Sequence, residues 1–326
     1  MIQFFATQNH LYTIHDFVDS WAQECRAKIG IVPYEKLSFR RPLAGGVCIF
    51  TDLERLLPLE MSLVLKLAEC LRAFSKDYFI LNDPGRYTGR FRLLQILHER
   101  GINEFRTRRL NELEGDLRFP VFLRSDLDHN ASLTPLLRSR DELRRAVAGL
   151  SLRRRFRRNH LMVVEYCDCA DGGGLFRKFS AMNINGTLIP RHVLFSKNWV
   201  TKTPDIVNES TVAEEAGFVE NFPHAKQLRE IFQLAGVDYG RIDYGLHNNR
   251  VQVWEINTNP MIVPRREKID PLRLPAQSQS ARLIVEHLQT LSALRDGGTA
   301  FPFRSQNIIT GNAIQLFSRI YCKYRR

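Results

Sequence analysis

The sequence contains no apolar run long enough to span a bilayer, and its opening, MIQFFATQNHLYTIHDF, lacks the basic n-region of a signal peptide. These absences argue against a helical membrane protein and make the cytoplasm the expected location. A disulfide framework is missing as well: six cysteines are scattered along the chain, which suits reduced thiols. Cys167 and Cys169 are the one close pair, and with no second pair or nearby histidine they do not read as a zinc site. No G-x-G-x-x-G occurs, so the dinucleotide fingerprint is absent. Zinc-finger spacing and the aromatic-plus-basic signature of an RNA-recognition module are also absent, as are internal repeats and low-complexity tracts.

What is present describes a globular protein. The 326 residues suffice for one large or two to three small cores, with 44% hydrophobic and 25% charged residues. The formal charge of +12 favours anionic partners without choosing among nucleotides, nucleic acid, acidic peptides and membrane surfaces. Much of it lies between Arg138 and Arg158, including SLRRRFRRNH. Such a run reads first as a solvated helix face and second as a nucleic-acid patch.

Residues 1–84 alternate strand-like and helix-like runs: Ile2 to Ala6, then a helix from Tyr12 to Lys28, then Ile29 to Pro33, Gly46 to Phe50, a helix from Leu59 to Phe74, and Tyr78 to Leu81. Alternation of this kind predicts parallel β-α-β units and a small open α/β domain. Residues 85–101 form an amphipathic helix closed by Gly101. Phe119 to Ser125 reads as a strand, Ser139 as the N-cap of a helix with Glu142 completing a capping box, and Leu161 to Glu165 as a buried strand. Asn185-Gly186 marks the turn of a hairpin between Phe176 to Ile184 and Leu188 to Phe195. Glu209 to Ala235 carries helical spacing broken at Pro223. Residues 271–326 form a C-terminal segment with a helix from Ala281 to Leu294 and a second, basic one from Ala313 to Tyr324.

The stretch GRIDYGLHNNRVQVWEINTNPM, residues 240–261, carries the chemistry. Two apolar-rich runs around His247, Asn248 and Asn249 read as a hairpin. A plain two-residue turn would send Asp243 and Glu255 to opposite faces, because directly paired residues point the same way. An odd loop, His247 to Asn249 or Asn248 to Arg250, or else a bulge, gathers Arg241, Asp243, Glu255 and Asn257 on one face. Two carboxylates and an amide oxygen on a rigid face suit Mg²⁺ (or Mn²⁺), a hard cation with positions left for nucleotide phosphates. Arg241 beside them offsets charge on a phosphoryl group in transit.

RID, with EINTNP beginning twelve positions after the aspartate, resembles the metal-binding hairpin of the ATP-grasp superfamily and is most similar to D-alanine:D-alanine ligase and glutathione synthetase-like carboxylate-amine ligases. The resemblance implies an ATP-grasp fold of mixed α/β class over residues 85–270, its small subdomain at about 119–195, behind the N-terminal α/β domain. In that pattern a helix leading into Gly101-Ile102 carries a phosphate-binding cation; Arg92 takes that place, with Arg90 second. Arg124 stands where the family has a lysine on phosphate oxygens, and the fork of a guanidinium keeps that function. The segment after it, DLDHNASLTPLL, occupies the place of a glycine-containing phosphate loop but has no glycine; Asn130, Ala131 and Ser132 offer its backbone N–H groups. Glu165 matches the carboxylate that reads adenine, Tyr166 or Cys167 the backbone contacts, and Asp168 or Asp171 the ribose contact. Lys178 is the second phosphate cation, with Arg177 on the opposite face. Lys197 or Lys202, around Trp199, would meet an anionic group of the acceptor, and Met261 stands where the family often has glycine.

The implied activity is ATP-dependent ligation of a small-molecule or peptide carboxylate to an amine through an acylphosphate. Two other readings remain: a degenerate scaffold that binds nucleic acid or an acidic protein, and a kinase that phosphorylates a hydroxyl. The oligomeric state is not legible.

Overall fold

The computed structural model describes residues 1–39, 43–113, 116–127, 131–151, 158–294 and 300–301. The expected helix from Ala313 to Tyr324 and most of the arginine run SLRRRFRRNH lie outside them.

The N-terminal unit is the open α/β layer that the alternation predicts. Strands β1 (Ile2–Ala6), β2 (Ile29–Pro33), β3 (Gly46–Phe50) and β4 (Tyr78–Leu81) form a parallel sheet in the order β2-β1-β3-β4. Helix α1 (Tyr12–Trp21) buries Ile14, Phe17, Val18 and Trp21 and is shorter than expected: Gln23–Lys28 continues as a 3-10 turn. Helix α2 (Pro58–Phe74) begins at a proline, which needs no N–H there.

The middle of the chain builds two antiparallel sheets. The smaller has β5 (Thr107–Arg109), β6 (Val121–Ser125) and β7 (Leu161–Glu165) in the order β5-β7-β6. Helix α4 (Arg140–Ala148) covers one of its faces through Leu143, packed with Leu123, Leu161 and Val163. Ser139 caps that helix by accepting from the Glu142 amide, whereas the Glu142 carboxylate bonds the Arg138 amide rather than that of Ser139. The larger sheet has β8 (Phe176–Ile184), β9 (Thr187–Ser196), β10 (Tyr239–His247) and β11 (Arg250–Asn257) in the order β11-β10-β8-β9.

Alternation along the larger sheet gives its two faces different tasks. Phe179, Ala181, Val193, Ile242, Tyr244, Val253 and Ile256 pack against helices α3 (Arg90–Glu99), α5 (Glu209–Asn221) and α6 (Ala225–Ala235). Each fully buried side chain of this kind contributes roughly 1.5–3 kcal/mol. The other face is apolar only at one end, where Met182, Ile184, Ile189 and Tyr239 meet helix α7 (Leu274–Ala293) and the N-terminal sheet. At its other end that face carries Lys178, Ser180, Arg241, Asp243 and Glu255, and the cleft opens there.

Asn82 ties the N-terminal sheet to β10. It sits in the left-handed region (φ 54°), fully buried, just past β4. Its side-chain amide donates to Phe50 O (2.9 Å) and Tyr239 O (2.6 Å) and accepts from the Asp238 and Tyr239 amides, both at 2.8 Å. Among the described residues no helix is long and apolar enough to cross a membrane.

Candidate active site

The turn of the β10–β11 hairpin has two residues, Asn248 and Asn249, both at positive φ (49° and 60°), which asparagine tolerates and a tight hairpin of this twist requires. Left alone, that turn would separate the two carboxylates. A bulge restores the parity: Tyr244 pairs with Val253 and Asp243 with Glu255, so Trp254 is the extra residue. Gly245 makes room for it, since a Cβ there would lie 2.7 Å from Trp254 Cζ2. Of the two arrangements compatible with one shared face, the chain uses the bulge. Arg241 pairs with Asn257 two positions on, which completes the polar face.

Asp243 and Glu255 are both buried and both held by cations. Asp243 Oδ1 accepts from Arg241 Nε (2.9 Å) and Ser180 Oγ (2.7 Å), and Lys178 Nζ lies 3.7 Å from Oδ2. Burial pushes the Asp243 carboxyl up, but Arg241 and Lys178 outweigh it and hold the group below its ordinary range. Glu255 is met by Arg124 from β6 and by Arg90 from α3, the latter at 2.9 Å. Arg124 and Lys178 line the cleft with the two carboxylates, and Arg90 and Arg241 hold those carboxylates from outside its lining, so that four cationic side chains meet two carboxylates. Asn257 Oδ1 accepts from the Asn259 amide (2.8 Å), and Arg241 donates to Met261 O (3.1 Å).

Helix α3 corrects one expectation. Arg92 is exposed and pairs with Glu99 at 3.1 Å, whereas Arg90, 4% exposed, points inward to Glu255 and to Ser125 O. Residues two apart on a helix lie on opposite sides, so only one of the pair can face the cleft.

The cleft runs between the two antiparallel sheets, with an empty space of about 850 Å³ that includes open solvent at its mouth. Lys178, Arg124, Asp243 and Glu255 line one end and Phe122, Val164, Tyr166, Cys167 and Trp199 the other. Trp199 packs on Phe122 (ring centroids 4.9 Å apart) and edge-on to Tyr166 (5.9 Å). Its segment therefore folds over the apolar end of the cleft, and Lys202 lines the cleft while remaining exposed. Ala131 and Ser132 also line it, on a stretch that returns along β6 through Leu133 N to Leu123 O; Asn130 lies outside the described residues.

The hinge expectation needs a second correction. Glu165 lies at the cleft, but its carboxylate is spent on structure: Arg106 Nε (2.8 Å), the Arg118 amide (3.0 Å) and the Arg106 amide (3.1 Å) all donate to it. Tyr166 and Cys167 remain at the lip, while Asp168 is exposed, does not line the cleft, and takes the Tyr166 hydroxyl and the Ala170 amide. Asp171 is bound by Arg177 and by the Gly173 and Leu175 amides.

Sequence reading missed a row that crosses all four strands of the larger sheet: Glu255 pairs with Asp243, Asp243 with Ser180, and Ser180 with His192. Alternation from Lys178 puts Ser180 on the polar face, a signal available in the sequence. His192 was hidden because a second bulge, at Arg191, shifts the count in β9.

No family model matches the chain, and no curated protein does. Solved structures do match. The chain has the ATP-grasp fold, with the small α/β unit in front. It is similar to the D-alanine–D-alanine ligase from Coxiella burnetii, with a TM-score of 0.51 and 14% identity over 98% of each chain. It is similar also to the D-alanine–D-alanine ligase from Bacillus anthracis complexed with ATP, at 0.50 and 13% over 90% of this chain and 96% of that one.

Proposed function

We propose that the protein is an ATP-dependent ligase that joins a carboxylate to an amine. The observation that carries this reading is the convergence of Arg90, Arg124, Lys178 and Arg241 on Asp243 and Glu255 at one end of an aromatic-lined cleft. A metal-bound triphosphate carries net negative charge, and a surplus of buried positive charge is what such a ligand neutralises. The aromatic end suits a base, since Trp199 and Phe122 offer flat apolar surfaces.

The donor set fits a hard divalent cation: two neighbouring carboxylates and, on the same face, an amide oxygen. Asp243, Glu255 and Asn257 would hold it, and when bound it supplies charge neutralisation at the phosphates. The arginines that neutralise the carboxylates in the free protein are the groups phosphate oxygens would take over.

In the reaction an oxygen of the donor carboxylate attacks the γ-phosphorus and ADP leaves. The amine then attacks the acyl carbon and phosphate leaves. Arg90, Arg124 and Lys178 hold phosphate oxygens in line, Arg241 offsets charge on the transferred group, and the Trp199 segment excludes water from the acylphosphate.

Calorimetry with Mg·ATP, followed by assay of ADP and phosphate release with panels of carboxylates and amines, tests the proposal. A new amide with free phosphate is expected; a phosphorylated product would make the protein a kinase instead. Absence of Mg·ATP binding would overturn both. Glu255→Gln is expected to abolish turnover with the fold intact.

A further inference from the structure

The row Glu255–Asp243–Ser180–His192 continues the candidate metal face beyond the residues that the proposed function uses. Ser180 is fully buried and His192 8% exposed. The Ser180 hydroxyl lies 2.7 Å from Asp243 Oδ1 and 2.9 Å from His192 Nε2.

The direction of these bonds follows from counting hydrogens. An ionised carboxylate only accepts, and a serine hydroxyl has one hydrogen to give. That hydrogen goes to Asp243, so His192 must donate through Nε2–H, which fixes the tautomer. Burial, with Arg191 and Arg241 next, holds the imidazole far below its ordinary pKa, in keeping with a neutral ring.

The arrangement also distinguishes the two oxygens of Asp243. Arg241 straddles both, with Nε on Oδ1 at 2.9 Å and Nη2 on Oδ2 at 3.2 Å. Ser180 touches Oδ1 alone and so breaks that symmetry. Without it, the carboxylate would be held by the guanidinium, which grips both oxygens, and by Lys178, 3.7 Å from Oδ2.

We propose that Ser180 and His192 are positioning residues: the chain His192 Nε2–H to Ser180 Oγ–H to Asp243 Oδ1 fixes the carboxylate plane, so that Oδ2 is the oxygen presented to Lys178 and to a nucleotide-bound divalent cation. The proposal rests on the metal reading of the hairpin. Ordering a ligating carboxylate through its outer hydrogen bond typically changes metal affinity by about 10–100-fold. A purely structural pair would alter stability and leave metal affinity alone.

Mn²⁺ titrated in the presence of ADP and read by electron paramagnetic resonance separates the two. Ser180→Ala is expected to weaken Mn²⁺ binding by about 10–100-fold while ADP affinity without metal is unchanged. His192→Ala should weaken it as well, and His192→Gln should recover part of the loss because its amide still donates. In ¹⁵N spectra of the metal-free protein, His192 should show the neutral Nε2–H tautomer. Wild-type Mn²⁺ affinity in Ser180→Ala, or the opposite tautomer, overturns the proposal while leaving the ligase reading intact. A wild type that binds no Mn²⁺ with ADP overturns both. Should the histidine variants fail to fold, Ser180→Ala, which removes a single oxygen, still decides.

Discussion

Asp243 and Glu255 face each other across β10 and β11 because one residue, Trp254, has no partner on the opposite strand. The two-residue turn and the bulge are thus a matched pair: with this turn, the shared polar face depends on the bulge.

Deleting Trp254 tests this directly. With the extra residue gone the ladder is regular: Tyr244 still pairs with Val253 and Asp243 directly with Glu255, so Glu255 and Asn257 keep the polar face. Mg·ATP binding is expected to persist both in the deletion and in Trp254→Ala, which keeps the bulged backbone. Calorimetry on both variants decides; loss of binding in a folded deletion variant would contradict the parity argument.

Arg90 and Arg92 should behave as opposites. Arg90→Ala removes a charge-assisted contact worth about 1.5–3 kcal/mol, so nucleotide affinity should fall by tenfold or more. Arg92→Ala removes an exposed pair and should leave affinity and melting temperature unchanged. The same calorimetric titration checks both variants.

Glu165 predicts a pH dependence of stability. Burial pushes its carboxyl up, but the hydrogen bonds from Arg106 and from the Arg118 amide outweigh burial and hold it below the ordinary value. A depressed carboxyl adds stability that is fully present above its unfolded-state pKa of roughly 4.3 and is lost as pH falls through the folded value. Glu165→Gln should therefore cost about 2 kcal/mol at neutral pH, and the gap to wild type should narrow below about pH 4. Urea midpoints at pH 7 and pH 3 measure it, and an unchanged gap would refute the assignment.

Asn82, just past β4, makes four side-chain bonds from a left-handed backbone, one to Phe50 of β3 and three to Asp238 and Tyr239 at the start of β10. Asn82→Gly keeps the backbone geometry and loses the bonds, with an expected cost of about 3 kcal/mol. Asn82→Ala adds strain of about 1–2 kcal/mol. Denaturant unfolding of the pair separates bond loss from strain.

The order of strands and helices was legible because periodicity and turn residues are local signals: Asn185-Gly186 gives its hairpin and Pro223 splits its helical run as expected. The polar face of the hairpin was legible too, down to the need for an odd loop or a bulge. What could not be read depended on three-dimensional partners. Arg90 and Arg92 are equivalent in sequence until the core fixes the roll of the helix. Glu165 looks like a free carboxylate until Arg106 and Arg118, far along the chain, come to rest on it. His192 needed the bulge at Arg191, which no local signal announces.

The row from Glu255 to His192 is registered by the backbone ladder of four strands, and its spacing cannot change unless that ladder opens. The carboxylate end of the site therefore shares the opening free energy of the sheet centre and not that of a surface loop. In hydrogen exchange, the amides of Asp243 and Ser180 should be among the last to exchange, while the Trp199 segment over the same cleft exchanges early.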